Sequence, residues 1–229
     1  MEHGIDRATK LRVDSAVGLN EFYSNRSGTD ELVSVRRNEG GFVHVTPTLA
    51  TDEKLRNTFK CDMVITGARR IEADEERNRP ERVIVKGYIF DFRKALLPVE
   101  FTALSEGAMN YYENLEASEK NPCFTTVWGR QISQTVVNRK VTASAFGDPS
   151  IEETTSTQRD FVITGGAAEP YIWDDPSTIT AQEFKAAQQD REVAVAEIKR
   201  RQDEYRASQG GNTNTINTAA APSVSGFNF

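Results

Sequence analysis

The chain has 229 residues, 38% of them hydrophobic and 27% charged, with a formal charge of −6, which fits one ordinary domain with appendages and argues against a multidomain machine. No stretch reaches the roughly 18 uninterrupted apolar residues that a membrane helix needs, and Met1-Glu-His-Gly-Ile-Asp lacks the basic-then-apolar order of a signal segment. A cytoplasmic protein without membrane contact is expected. The two cysteines, Cys61 and Cys123, sit in β-like apolar runs and read as small buried hydrophobes rather than a disulfide. Together with His3 and His44 they have no metal-ligand spacing, so neither metal nor cofactor is expected. The acidity is spread: Phe59 to Gly165 holds 14 Lys/Arg against 16 Asp/Glu, and Gly166 to Arg206 holds 6 against 9. Nucleic-acid binding would therefore have to rest on a local basic surface.

In chain order, residues 1–58 read as an arm and a hairpin. Met1 to Glu31 is polar and interrupted by Gly18, Gly28 and the Ser24-Asn-Arg-Ser-Gly-Thr-Asp run, which reads as a loose arm. Leu32-Val-Ser-Val and Gly41-Phe-Val-His-Val-Thr-Pro-Thr-Leu alternate apolar and polar residues around Glu39-Gly-Gly, the pattern of a hairpin turning at those glycines. Pro47 marks an edge.

Residues 59–166 carry the strongest pattern. Phe59, Cys61, Met63 and Ile65 share one strand face, with a bend allowed at Gly67, and Val83, Val85 and Ile89 share the inner face of a second strand. A charged loop, Ala73 to Glu81, joins them. Leu97-Pro-Val-Glu-Phe-Thr gives a short third strand. The period then changes to three and four residues at Leu104, Ala108, Tyr111, Tyr112 and Leu115, with Ser105 placed to cap a helix. Cys123 to Ala143 reads as a long or bent strand, Gly147 as a turn, and Arg159 to Thr164 as the last strand. Three strands, one helix and two strands are the element order of a five-stranded OB-like antiparallel barrel, and the alternation argues against a doubly wound parallel sheet.

Residues 167–207 form an acidic loop and a long helix. Thr180-Ala-Gln-Glu is a capping box, and the helix it opens runs to about Ala207. Its stripe of Phe184, Ala187, Arg191, Ala194, Ile198 and Tyr205 is thin and predicts light packing. Residues 208–229 are Gly, Asn, Thr, Ser and Ala without a charge and are expected to be disordered, ending in Gly226-Phe-Asn-Phe, whose Phe227 and Phe229 read as a docking tip.

Enzyme signatures are missing. There is no phosphate-cradling Gly-x-x-x-x-Gly-Lys run, no Gly-x-Ser-x-Gly elbow and no His-Glu-x-x-His helix, so a non-enzymatic protein is expected. His44 on an edge strand has no nucleophile patterned beside it and reads as structural. Asp174-Asp175 reads as a solvated turn ahead of Pro176 rather than a cation site.

The second strand points elsewhere. With Val83, Val85 and Ile89 inward, Lys86, Tyr88, Phe90 and Phe92 fall on the outer face, one cation and three aromatics in line. That is how a sequence-tolerant base-stacking platform is built. Arg69, Arg70 and Arg93 at neighbouring strand ends would meet phosphates. Trp128 and Arg130 share a face near Arg139 and Lys140, where an arginine and an indole can clamp a nucleotide. The competing reading buries the aromatics in the core or beneath the arm or the C-terminal helix.

The order Gly87-Tyr-Ile-Phe-Asp-Phe, Leu97-Pro-Val-Glu-Phe, Ala108-Met-Asn-Tyr-Tyr, Val127-Trp-Gly and Phe161-Val-Ile-Thr-Gly, followed by a tail ending in phenylalanine, resembles phage-type single-stranded DNA-binding proteins of the OB-fold class. The resemblance implies coating of single-stranded DNA in phage DNA replication or recombination, in the host cytoplasm, with Phe227 and Phe229 contacting replication or recombination proteins. The chain departs from the pattern in one respect: tails of such proteins are acidic before the final aromatic, whereas Ser208 to Phe229 has no carboxylate side chain. The alternative is a structural or assembly protein, a virion or scaffold component, that uses the long helix and tail for subunit contacts. Homo-oligomers are compatible with both, through the last helix or through the edge strand Gly41 to Leu49.

Overall fold

The structure is a computed structural model that describes residues 8–25, 29–48, 52–75, 79–144, 146–175 and 177–210. Two compact units divide the chain, one of Met1–Asn20 with Val35–Glu192 and one of Glu21–Ser34 with Val193–Phe229.

The first unit is built on a closed barrel. Its strands are β3 (Thr58–Ile71), β4 (Arg82–Phe90), β5 (Leu96–Ala103), β6 (Cys123–Thr142) and β7 (Ser150–Gly166), and they close in the order β3-β4-β5-β7-β6. Helix α1 (Glu106–Asn114) lies between β5 and β6 in sequence. This is the OB arrangement the element order implied. One pairing departs from the antiparallel expectation: β5 runs parallel to β7, touching it at Thr102↔Val162 and Ala103↔Ile163. Parallel contact follows because the chain leaves β5 through α1 and returns through β6 before β7 closes the sheet.

The core follows from strand alternation. Met63, Ile65, Val83, Val85, Ile89, Val99, Phe101, Val127, Phe161 and Ile163 point inward and are buried. Burying a large apolar side chain contributes about 1.5–3 kcal/mol, so this set dominates barrel stability. Phe59, Phe101 and Phe161 pack as a trio with ring centroids 5.0–5.5 Å apart, and Arg36 lays its guanidinium 5.1 Å from the Phe161 centroid. A bulge between Ile65 and Gly67 supplies the bend that Gly67 suggested. Ser105 caps α1 by accepting from the Ala108 N–H at 3.3 Å, and Met109 and Tyr112 are the helix's buried residues, while Tyr111 stays 44% exposed. Burial pushes the Cys61 thiol and the Tyr112 phenol up to about 12 and raises Cys123 as well. Both cysteines are free thiols.

Three readings of the sequence need correction. Residues Leu11–Ser24 are not a loose arm but strand β1, paired with β2 (Glu31–Val45) in a two-stranded sheet. The second strand does not turn at Glu39-Gly-Gly: it passes through as one strand, with Gly40 and Gly41 at φ 60° and 142° absorbing an irregularity that only glycine accepts comfortably. The last barrel strand begins at Ser150 rather than Arg159, because the Ser/Thr-rich run pairs with β6 all the way to Thr142↔Ser150. Most of the ribbon's described side chains are solvent-exposed, and among them no buried face imposes an apolar alternation.

Helix α2 (Ala181–Gly210) opens at the expected capping box. The Thr180 N–H donates to Glu183 at 2.9 Å and the Glu183 N–H donates to the Thr180 hydroxyl at 3.1 Å. In the second unit Tyr23 and Gln202 exchange hydrogen bonds, the Lys199 ammonium lies 5.7 Å from the Tyr23 centroid, and Arg206 pairs with Asp30 at 2.8 Å. No helix among the described residues is long and apolar enough to cross a membrane. Phe227 and Phe229 lie outside the described residues.

Candidate nucleic-acid interface

The outer face of the barrel holds two aromatic regions with opposite fates. On β4, Val83, Val85 and Ile89 turn inward as expected, which sends Tyr88 and Phe90 outward. The face is not open. Phe184 of α2, only 4% exposed, packs over it with its ring 5.9 Å from Tyr88 and 6.5 Å from Phe90. Val64, Leu96, Phe124, Tyr171, Trp173 and Ile179 complete a second apolar cluster on the outside of the barrel. The proposed stacking platform is therefore a packing surface for the helix, and the thin stripe on α2 misled because one phenylalanine supplies the anchor. Arg191 adds a hydrogen bond to the Leu96 carbonyl at 3.3 Å.

The remaining residues of that reading are scattered. Phe92 is 86% exposed but lies past the end of β4, in a turn where the Asp91 carboxylate accepts the N–H groups of Arg93 and Ala95 at 2.8 and 2.7 Å. Arg93 stacks on Phe92 with its guanidinium 5.0 Å from the ring centre. Arg70 is neutralised by Glu81 and Glu113 at 2.7 and 2.8 Å, so it is no free phosphate contact. Lys86 faces Glu100 at 3.4 Å. Arg69 is exposed and opposite Ile84. Arg139 and Lys140 stand in backbone register with Glu153 and Glu152 on the β6–β7 ribbon. Phe146 at the ribbon's turn is 90% exposed. Asp174 accepts from the Ala181 N–H at 3.1 Å and Asp175 from the Ser177 N–H at 2.8 Å, which makes them turn and cap residues. His44 is exposed, 3.4 Å from Asp14. Among the described residues no group of three or more His, Cys, Asp or Glu is placed to hold a metal ion.

On β6 the outcome is different. Trp128 is 41% exposed, and its neighbour Gly129 begins a register irregularity against β7. A Cβ on Gly129 would stand 1.9 Å from the Val162 carbonyl oxygen, and one on Gly165 would stand 2.4 Å from the indole Nε1. Two glycines thus let the strands approach and the indole lie close against the β7 backbone. Across the sheet Lys60 pairs with Trp128 and Thr58 with Arg130. Lys54, Thr58, Phe59, Lys60, Trp128, Gly129, Arg130 and Thr164 line an open groove of about 560 Å³. Among the described residues three cations and one indole line it, and none of these residues is a carboxylate.

The sequence pointed to Trp128 and Arg130 but missed Lys54 and Lys60. Lys60 is legible as outward-facing, since it alternates with Phe59 and Cys61. Its register against Trp128 is not, because β3 and β6 are separated by more than fifty residues. Lys54 arrives from a 3₁₀ turn, Glu53–Leu55.

Residues 1–201 match the family model described as YorF. The chain belongs to the YorF family. No curated protein and no solved structure matches it.

Proposed function

We propose that this YorF-family chain is a non-enzymatic, sequence-tolerant binder of single-stranded DNA that uses the Trp128 groove rather than the β4 face. The observation that carries this reading is an accessible indole set among Lys54, Lys60 and Arg130, with no carboxylate among the described residues that line the groove. An indole face accepts any base, at about 1–3 kcal/mol per stack, and the cations neutralise phosphates and release counterions. The OB barrel is a common carrier of this chemistry. The resemblance in element order is what points to phage DNA replication or recombination as the setting. The local positive groove matters more here than the formal charge of −6.

Fluorescence anisotropy with a labelled single-stranded oligodeoxynucleotide of mixed sequence, at low and moderate salt, tests the proposal. Binding at micromolar protein that weakens steeply with salt supports it, and absence of binding or a salt-independent affinity removes it.

A structural or assembly role is the second reading. It is favoured by exposed apolar side chains on the β1–β2 sheet, where Val13, Phe42, Val43 and Val45 are 59–77% exposed. Light scattering without nucleic acid tests it, with a large ordered assembly as the supporting result.

A further inference from the structure

Resting on that reading, we propose that Asp62 gives the Trp128 groove a preference for amine-bearing bases, cytosine above all, over thymine. On the outer face of β3, Thr58, Lys60 and Asp62 follow one another at two-residue intervals, and opposite them on β6 stand Arg130, Trp128 and Thr126. Asp62 is therefore about 7 Å along the strand from Lys60, at the end of the cationic groove.

Its carboxylate is held in place. The Thr126 hydroxyl donates to Asp62 Oδ1 at 2.6 Å, the Tyr171 hydroxyl donates to the same oxygen at 3.1 Å, and the two hydroxyls lie 2.8 Å apart. Thr126 is buried and Asp62 exposed. Tyr171 is itself fixed by its N–H bond to the Phe124 carbonyl at 2.7 Å. Both hydrogen bonds fall on Oδ1, so Oδ2 retains acceptor capacity for an incoming donor. Asp62 also lines a second recess of about 800 Å³, whose wall includes Phe90 and Phe124. The other charged groups of that recess, Lys94 and Glu183, face each other at 3.5 Å.

A nucleotide stacked on Trp128 with its phosphate at Lys60 directs the neighbouring base toward this fixed carboxylate. Cytosine presents its N4 amino group as a donor there, and adenine its N6 amino group, whereas thymine presents O4, an acceptor that a carboxylate repels. The preference is graded upon a sequence-tolerant background, because stacking and phosphate contacts are common to all bases.

The test compares an oligodeoxycytidine with an oligothymidine of equal length by anisotropy, at mildly alkaline pH, on the full chain and on Asp62→Asn. The expected result is about tenfold tighter binding of the cytidine strand by the unaltered chain. Asp62→Asn, whose amide both donates and accepts, should bind the two strands alike with a native circular dichroism spectrum. Equal affinities in the unaltered chain overturn the inference while leaving single-strand binding intact, and so does a preference that survives in Asp62→Asn. Failure of the unaltered chain to bind either strand removes the underlying reading as well.

Discussion

The outer faces of β4 and β6 both carry aromatic residues at outward strand positions, yet Tyr88 and Phe90 lie beneath Phe184 while Trp128 lies open. The difference does not reside in the strands. It comes from what crosses them: the segment from Ala167 to Tyr171 runs beside β6, donating to the Thr126 and Phe124 carbonyls at 2.9 and 2.7 Å, and delivers Tyr171, Trp173 and then Phe184 to one half of the outer face. Trp128 and Lys60 lie one outward pair beyond Thr126 and Asp62, clear of that cover. Outward aromatics thus became helix cement in one region and a candidate ligand surface in the other.

The largest effect separating the two regions should be on stability. Phe184→Ala removes the anchor of the outer cluster and is expected to cost about 3 kcal/mol in urea unfolding, while single-stranded DNA affinity of the folded protein stays close to its starting value. Trp128→Ala should do the reverse. Its affinity loss should be on the order of 1–3 kcal/mol by anisotropy, with little change in the urea midpoint because the indole is already partly solvated. If Trp128→Ala leaves affinity unchanged and a Tyr88→Ala, Phe90→Ala double variant lowers it without unfolding, the comparison is inverted.

Smaller effects sharpen the assignment. Lys60→Gln should flatten the dependence of log affinity on log salt by about 0.7, the contribution of one phosphate contact on a single strand, whereas Lys86→Gln, on a lysine already facing Glu100, should leave the slope in place.

Stability should also respond to alkali. Cys61 has an ordinary value of 9.0 and is pushed up to about 12 in the fold, mainly by burial; Tyr112 rises from 10.0 to about 12 for the same reason. The unfolded chain loses these protons first, so stability is fully present below pH 9 and declines as pH rises from about 9 to about 12. Thermal unfolding across that range should follow this course, and Cys61→Ala should reduce the earlier part of the decline, leaving the share of Cys123, whose thiol burial also raises.

How much of this was legible follows from where each signal is local. The barrel strands announced themselves because inward positions such as Met63, Ile65, Val83 and Val85 repeat every second residue and are fully buried. The caps at Ser105 and Thr180 were equally local, each closing within three residues. Strand β1 and the start of β7 were not, since neither has a continuous buried face to stamp an alternation on its residues. In the site, Trp128 and Arg130 were visible as a pair on one strand, but Lys54, Lys60 and Asp62 joined them only through pairing across the sheet.

The amino-acid order by itself determined which side of each core strand is apolar, where the two helices begin, and that one helix interrupts five strands, because these depend on neighbours within a few residues. Which outer face stays accessible was decided only by the tertiary structure. That choice rests on β3 lying beside β6 and on a helix more than fifty residues downstream of Trp128 setting a single ring over β4, and contacts between residues so far apart leave no period in the chain that could reveal them.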